Sequence, residues 1–156
     1  MKAASLKEIK TELSTLHPAK VLELCMHLVK YKKENKELLT YLLFEASDEQ
    51  FYIKEIKEQI DELYTGVNKS NLYLAKKTLR KILRITNKYI KYSGSKQTEV
   101  ELLIYFCKKF QKSSIPKHAN TVLGNMYTRQ IQKINKALST LHEDLQYDYA
   151  EELKLL

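Results

Sequence analysis

Asn71-Leu-Tyr-Leu-Ala-Lys-Lys-Thr-Leu-Arg-Lys-Ile-Leu-Arg-Ile-Thr-Asn-Lys-Tyr-Ile-Lys-Tyr92 decides how this chain is read. Wound as a helix at about 100° per residue, it separates into two faces. Lys69, just upstream, and Lys76, Lys77, Arg80, Lys81, Arg84, Lys88 and Lys91 fall in one arc of about 140°. Leu72, Ala75, Leu79, Ile82, Leu83, Tyr89 and Ile90 fall on the far side, and Tyr73 projects from within the basic arc. The stretch contains no acid. Like charges at i,i+4, such as Lys76, Arg80, Arg84 and Lys88, repel by a few tenths of a kcal/mol per pair. The pattern predicts a long helix from about Asn71 to Tyr92, ended by Gly94, with one apolar and one cationic face.

The charge bias extends outward from this helix. Residues 63–142 hold sixteen Lys or Arg against two acids, Glu99 and Glu101. Residues 1–62 hold ten basic and twelve acidic residues, and residues 143–156 one and five. The middle therefore seeks anions and the tail seeks cations.

Caps and breakers place six further helices. Ser5-Leu6-Lys7-Glu8 is a capping box, followed by the stripe Leu6, Ile9, Leu13 and Leu16. Pro18 disfavours helix at His17 and suits the first turn of the next helix, which is expected to bury Val21, Leu22, Cys25, Leu28 and Val29. Polar residues 32–36 precede Leu38, Leu39, Leu42 and Leu43. Ser47-Asp48-Glu49-Gln50 reads as a second capping box, Ile53, Ile56, Ile60 and Leu63 follow at helical spacing, and Gly66 suits a left-handed stop. Ser95 or Thr98 caps a helix carrying Val100, Leu103, Ile104, Cys107 and Phe110, and Ser113-Ser114-Ile115-Pro116 breaks it. From about Asn120, Leu123, Tyr127, Ile131, Ile134, Leu138, Leu141, Leu145, Tyr149 and Leu153 keep phase, which predicts one terminal helix of roughly 30 residues, kinked near His142. The pentapeptide Leu13-Ser14-Thr15-Leu16-His17 recurs as Leu138-Ser139-Thr140-Leu141-His142, slim ground for an internal duplication in so uniform a chain.

No segment has strand periodicity with turn chemistry. The expected fold is all-α: one domain over residues 1–156, a bundle or stack of six to seven helices, mostly antiparallel neighbours, with a long C-terminal helix. An apolar fraction of 44% is too high for a disordered chain. No apolar run approaches the ~20 residues of a membrane span, and charges occupy the start where an export signal needs an apolar run. A cytoplasmic location without membrane contact is expected. Cys25 and Cys107 lie in apolar stripes and read as small buried hydrophobes.

Tyr31-Lys-Lys-Glu-Asn-Lys-Glu-Leu-Leu-Thr-Tyr-Leu-Leu-Phe-Glu-Ala46, with Asp48-Glu49-Gln50 and the Leu22-Glu23-Leu24-Cys25 helix, resembles a segment of a family of uncharacterised all-helical bacterial proteins, over roughly residues 20–60. The resemblance implies no activity, cofactor or site residue.

Catalytic and metal signatures do not occur. His17, His27, His118 and His142 are scattered, without HExxH or a Cys/His cluster, and there is no Gly-rich phosphate loop. No enzyme activity, cofactor or metal is expected. Eleven tyrosines against four phenylalanines suit the border between core and water, base stacking or protein interfaces. The basic residues leave three readings: a solvated or self-paired face (its acids pairing within a monomer or across a homodimer), nucleic acid, and another acidic partner. The leading expectation is a non-enzymatic interaction module centred on residues 69–92, docking an acidic protein surface or its own kind. The alternative is a sequence-nonspecific nucleic-acid binder, for which Lys in excess of Arg argues against base-specific readout. If the next two helices pack alongside, Lys108, Lys109, Lys112, Lys117, Arg129, Lys133 and Lys136 extend the patch.

Overall fold

Local chemistry sets the helix starts in the computed structural model, which describes residues 2–116, 118 and 121–156. Its elements are α1 (Leu6–Thr15), α2 (Pro18–Tyr31), α3 (Lys33–Thr40), a π-helical turn (Tyr41–Glu45), α4 (Glu49–Thr65), α5 (Leu72–Ser93), α6 (Lys96–Lys112), α7 (Val122–Leu138) and α8 (Glu143–Leu153). Among the described residues there is no strand. Ser5 and Glu8 form the expected box: Glu8 N–H donates to Ser5 Oγ at 3.3 Å and Ser5 N–H to Glu8 Oε2 at 2.7 Å. Pro18 stands in the first turn of α2.

The chain divides into two compact units, Met1–Phe44 and Glu45–Leu156. In the first, α1, α2 and α3 contain no buried residue. This corrects the expected burial on α2: Val21, Cys25 and Val29 are half-buried, and Leu22 and Leu28 are exposed. Among the described residues, α3 is the element packed most closely on α2, and most of the side chains of α2 are exposed.

The second unit has a core centred on α6, which packs against α4, α5, α7 and α8. Val100, Leu102, Leu103, Ile104, Phe106, Cys107 and Phe110 are all buried. At helical spacing they span about 200°, wider than a surface helix needs. Burying Phe106 and Phe110 completely stabilises the unit by about 1.5–3 kcal/mol each. Onto this axis α4 brings Ile53, Ile56 and Ile60, α5 brings Ala75, Leu79 and Ile82, and α7 brings Met126, Ile134 and Ala137. Cross-helix hydrogen bonds add direction: Tyr52 Oη donates to Tyr89 O at 3.0 Å, and Tyr64 Oη to Phe106 O at 3.3 Å.

Three start and stop expectations need correction. Gly66 ends α4 with φ −82°, so its stop is not left-handed; Gly94, which ends α5, has φ +68°. Asp48 rather than Ser47 caps α4, accepting from Phe51 N–H at 3.0 Å. The expected terminal helix is two helices. Its proposed start at Asn120 lies outside the described residues; α7 is capped by Thr121 and ends at Leu138, and α8 begins at Glu143. The Ser139 and Thr140 hydroxyls donate to Lys136 O and Ala137 O, and His142 caps α8. The apolar phase runs through this break because four residues outside the helices still return the stripe to the core side.

Candidate functional site

Asn71 starts α5 by accepting from the N–H groups of Tyr73 and Leu74 at 3.0 and 3.1 Å. From there Ala75, Leu79, Ile82, Thr86 and Ile90 are buried at spacings of three and four residues. The opposite side is thereby turned to solvent. Lys77, Arg80, Lys81, Arg84 and Lys91 are exposed, and Lys76 and Lys88 are half-buried. Lys69 is exposed in the loop before Asn71, off the helix. A shallow hollow of about 540 Å³ runs along this face, lined by Tyr73, Lys76, Lys77, Arg80, Lys81 and Arg84.

Two of these cations meet aromatic rings of their own helix. Lys76 Nζ lies 5.5 Å from the Tyr73 ring centroid, and Lys88 Nζ lies 4.8 Å from that of Tyr89. Tyr73 itself is 68% exposed.

Three carboxylates of this unit are engaged elsewhere. Lys57 pairs with Glu101 at 3.1 Å, Lys109 with Asp61 at 2.7 Å and Lys108 with Glu152 at 2.8 Å. Burial pushes the Asp61 carboxyl up, but hydrogen bonds from Lys109 and Tyr105 outweigh it and hold it below the ordinary range. The same hydrogen bond from Lys109 to Asp61 raises the lysine. Asp61 of α4, Glu99 and Glu101 of α6 and Glu152 of α8 thus compensate Lys57, Lys96, Lys108 and Lys109. Among the described residues, no carboxylate forms an ion pair with Lys69, Lys76, Lys77, Arg80, Lys81, Arg84 or Lys91.

The suggested extensions divide accordingly. Lys108 and Lys109 are paired, and Lys117 lies outside the described residues. Lys112, Arg129, Lys133 and Lys136 are exposed. Lys133 Nζ donates to Asn87 Oδ1 at 3.4 Å, a link between α7 and α5, which both pack on α6. Arg129 shares a groove of about 330 Å³ with Arg80, walled by Leu83, Val122 and Met126 and reaching Gln130. Gln130 is 4% exposed; its Nε2 donates to Met126 O at 3.1 Å, and its Oε1 has no partner. A glutamine in the stripe register of α7 was the available signal for this groove, and it is hidden by the stronger apolar periodicity around it.

Other polar groups have structural roles. His17 and His142 are N-caps, their Nδ1 atoms accepting from Ala19 and Asp144 N–H at 3.2 and 3.5 Å. Burial pushes the Cys107 thiol up to about 12. Among the described residues, no group of three or more His, Cys, Asp or Glu is placed to hold a metal ion, and no helix is long and apolar enough to cross a membrane. Comparison of the chain with protein-family models, curated proteins and solved structures finds no match.

Proposed function

We propose that this protein is a non-enzymatic docking module whose α5 face, centred on residues 69–92, binds an acidic protein surface. One observation carries the reading: α5 holds seven basic residues and no acid over about 33 Å, and among the described residues no carboxylate forms an ion pair with Lys76, Lys77, Arg80, Lys81, Arg84 or Lys91, while Asp61, Glu101 and Glu152 pair with other lysines. An anionic partner relieves the repulsion along Lys76, Arg80 and Arg84 and profits from their shared field. The preponderance of Lys supplies flexible point charges, which suit an acidic surface better than bidentate reading of bases.

A polyglutamate peptide is the direct probe. Wild-type protein is expected to bind it at low salt and to lose affinity steadily as salt rises. Lys76→Glu with Arg80→Glu and Arg84→Glu abolishes binding while the circular dichroism spectrum is retained. Absence of wild-type binding at about 50 mM salt removes the reading.

Tyr73 favours a second reading, sequence-nonspecific nucleic-acid binding. Its exposed ring beside Lys76 is the kind of platform on which an unpaired base stacks, worth about 1–3 kcal/mol per base. A single-stranded oligonucleotide bound more tightly than polyglutamate, with about ten-fold loss or more for Tyr73→Ala, shifts the assignment to nucleic acid.

A further inference from the structure

The exposed side of α8 is acidic around one aromatic ring. Tyr149 is buried and fixes the inner side, where its hydroxyl donates to Glu101 Oε1 at 2.8 Å. At about 100° per residue, Tyr147 points directly away from that side, and it is 71% exposed. Glu143, Asp144, Asp148 and Glu151 surround it within about 140° of arc, all exposed, with Glu151 paired to Lys154 at 2.5 Å and Asp144 beside His142 at 3.3 Å.

The α5–α7 groove has the complementary chemistry. Arg80 and Arg129 stand on its two helices, and Leu83, Val122 and Met126 wall it with apolar surface. Its volume of about 330 Å³ takes one aromatic side chain, and Val122 is 50% exposed and open to contact. Gln130 Oε1 lacks a donor there, and a tyrosine hydroxyl is a donor.

We infer that the protein associates with itself head to tail, Tyr147 of one copy entering the α5–α7 groove of the next. The carboxylates beside Tyr147 meet Arg80 and Arg129, and the ring gives the contact an apolar centre of the kind that dominates interfaces. The inference rests on the reading of α5 as an acid-docking face and names a second copy as its occupant. Donor and acceptor lie on different elements, so a single contact leaves one of each open: it propagates, closes into a ring, or is reciprocated in a two-fold pair.

Sedimentation of the full chain tests this with two half-disabled variants. Tyr147→Ala with Asp148→Lys removes the donor side. Val122→Glu with Arg129→Glu removes the groove and leaves every α5 cation in place. Wild-type mass is expected to rise with concentration and fall back on addition of salt. Each variant alone stays monomeric, and an equimolar mixture forms a dimer and stops there, because one donor and one groove remain intact. A wild type that stays monomeric at every concentration, or a mixture that does not dimerise, overturns the inference. If wild type still binds polyglutamate in that case, the docking role of α5 stands and only the occupant is wrong. If wild type binds no polyglutamate, the docking role itself has failed.

Discussion

Glu49 shows how far one residue can depart from its local motif. It follows a serine and an aspartate in a capping pattern, yet it reaches across to accept from the hydroxyls of Ser93 and Thr98. Asp48 does the capping, so the carboxylate of Glu49 is released to tie the first turn of α4 to the α5–α6 turn. Glu49→Ala leaves these inward hydroxyls without their acceptor and is expected to cost about 1–3 kcal/mol in chemical denaturation. Cys107 is a residue whose role was readable: its place in an apolar stripe predicts burial, and it is fully buried. Cys25 occupies an equally apolar stripe but is half-buried, because the pattern registers the face of a helix and not what covers it. An aromatic disulfide reagent at pH 8 is therefore expected to titrate Cys25 in the native protein and Cys107 only after unfolding.

The breaks between helices are the lesson at the scale of elements. The repeated Leu-Ser-Thr-Leu-His is the same device used twice. In each copy the Ser and Thr hydroxyls turn back onto carbonyls of the preceding turn, and the imidazole caps the helix that follows. Pro18 makes the first break legible. The second has Glu143 in that place, and an unbroken stripe then argues for continuity. A single substitution checks the equivalence. Glu143→Pro puts proline in the first turn of α8, after a residue at φ −62° and ψ 149° that already suits it. It is expected to change stability by less than about 1 kcal/mol, whereas Lys136→Pro, inside α7, costs about 3 kcal/mol or more. Equal losses for the two would mean that residues 138–143 are helical in solution. The cationic side of α5 was legible for a simple reason: no acid interrupts it, so periodicity alone places the charges. Lys69 shares the phase of that helix, but Asn68 and Asn71 build the loop that holds it outside, Asn68 Oδ1 accepting from the N–H groups of Ser70 and Asn71. The α5–α7 groove was not legible, since it depends on which helices lie side by side.

For the whole molecule, buried groups set how stability answers to pH. Burial raises the Cys107 thiol from 9.0 to about 12, and it raises the Tyr64 and Tyr149 hydroxyls above 10.0, Tyr149 further through its bond to Glu101. Below about pH 9 all three are neutral whether the chain is folded or not. Above it the unfolded chain releases its protons first, so stability is lost as pH rises through the range separating the two states. Thermal unfolding is expected to move to lower temperature from about pH 9 upward, and Tyr64→Phe to make the decline shallower. A melting temperature unchanged up to about pH 11 would contradict the burial of these groups. The all-helical class was legible from composition and caps. The division into units was not, because the α1 and α2 stripes resemble core stripes until their exposure is seen. Positive α5 and negative α8 also make the second unit a permanent electric dipole. Such a body turns while it diffuses, and it meets a negatively charged object with one side leading before any atom touches. The approach itself is thus biased toward one geometry, and that bias fades as dissolved ions shorten the reach of the field.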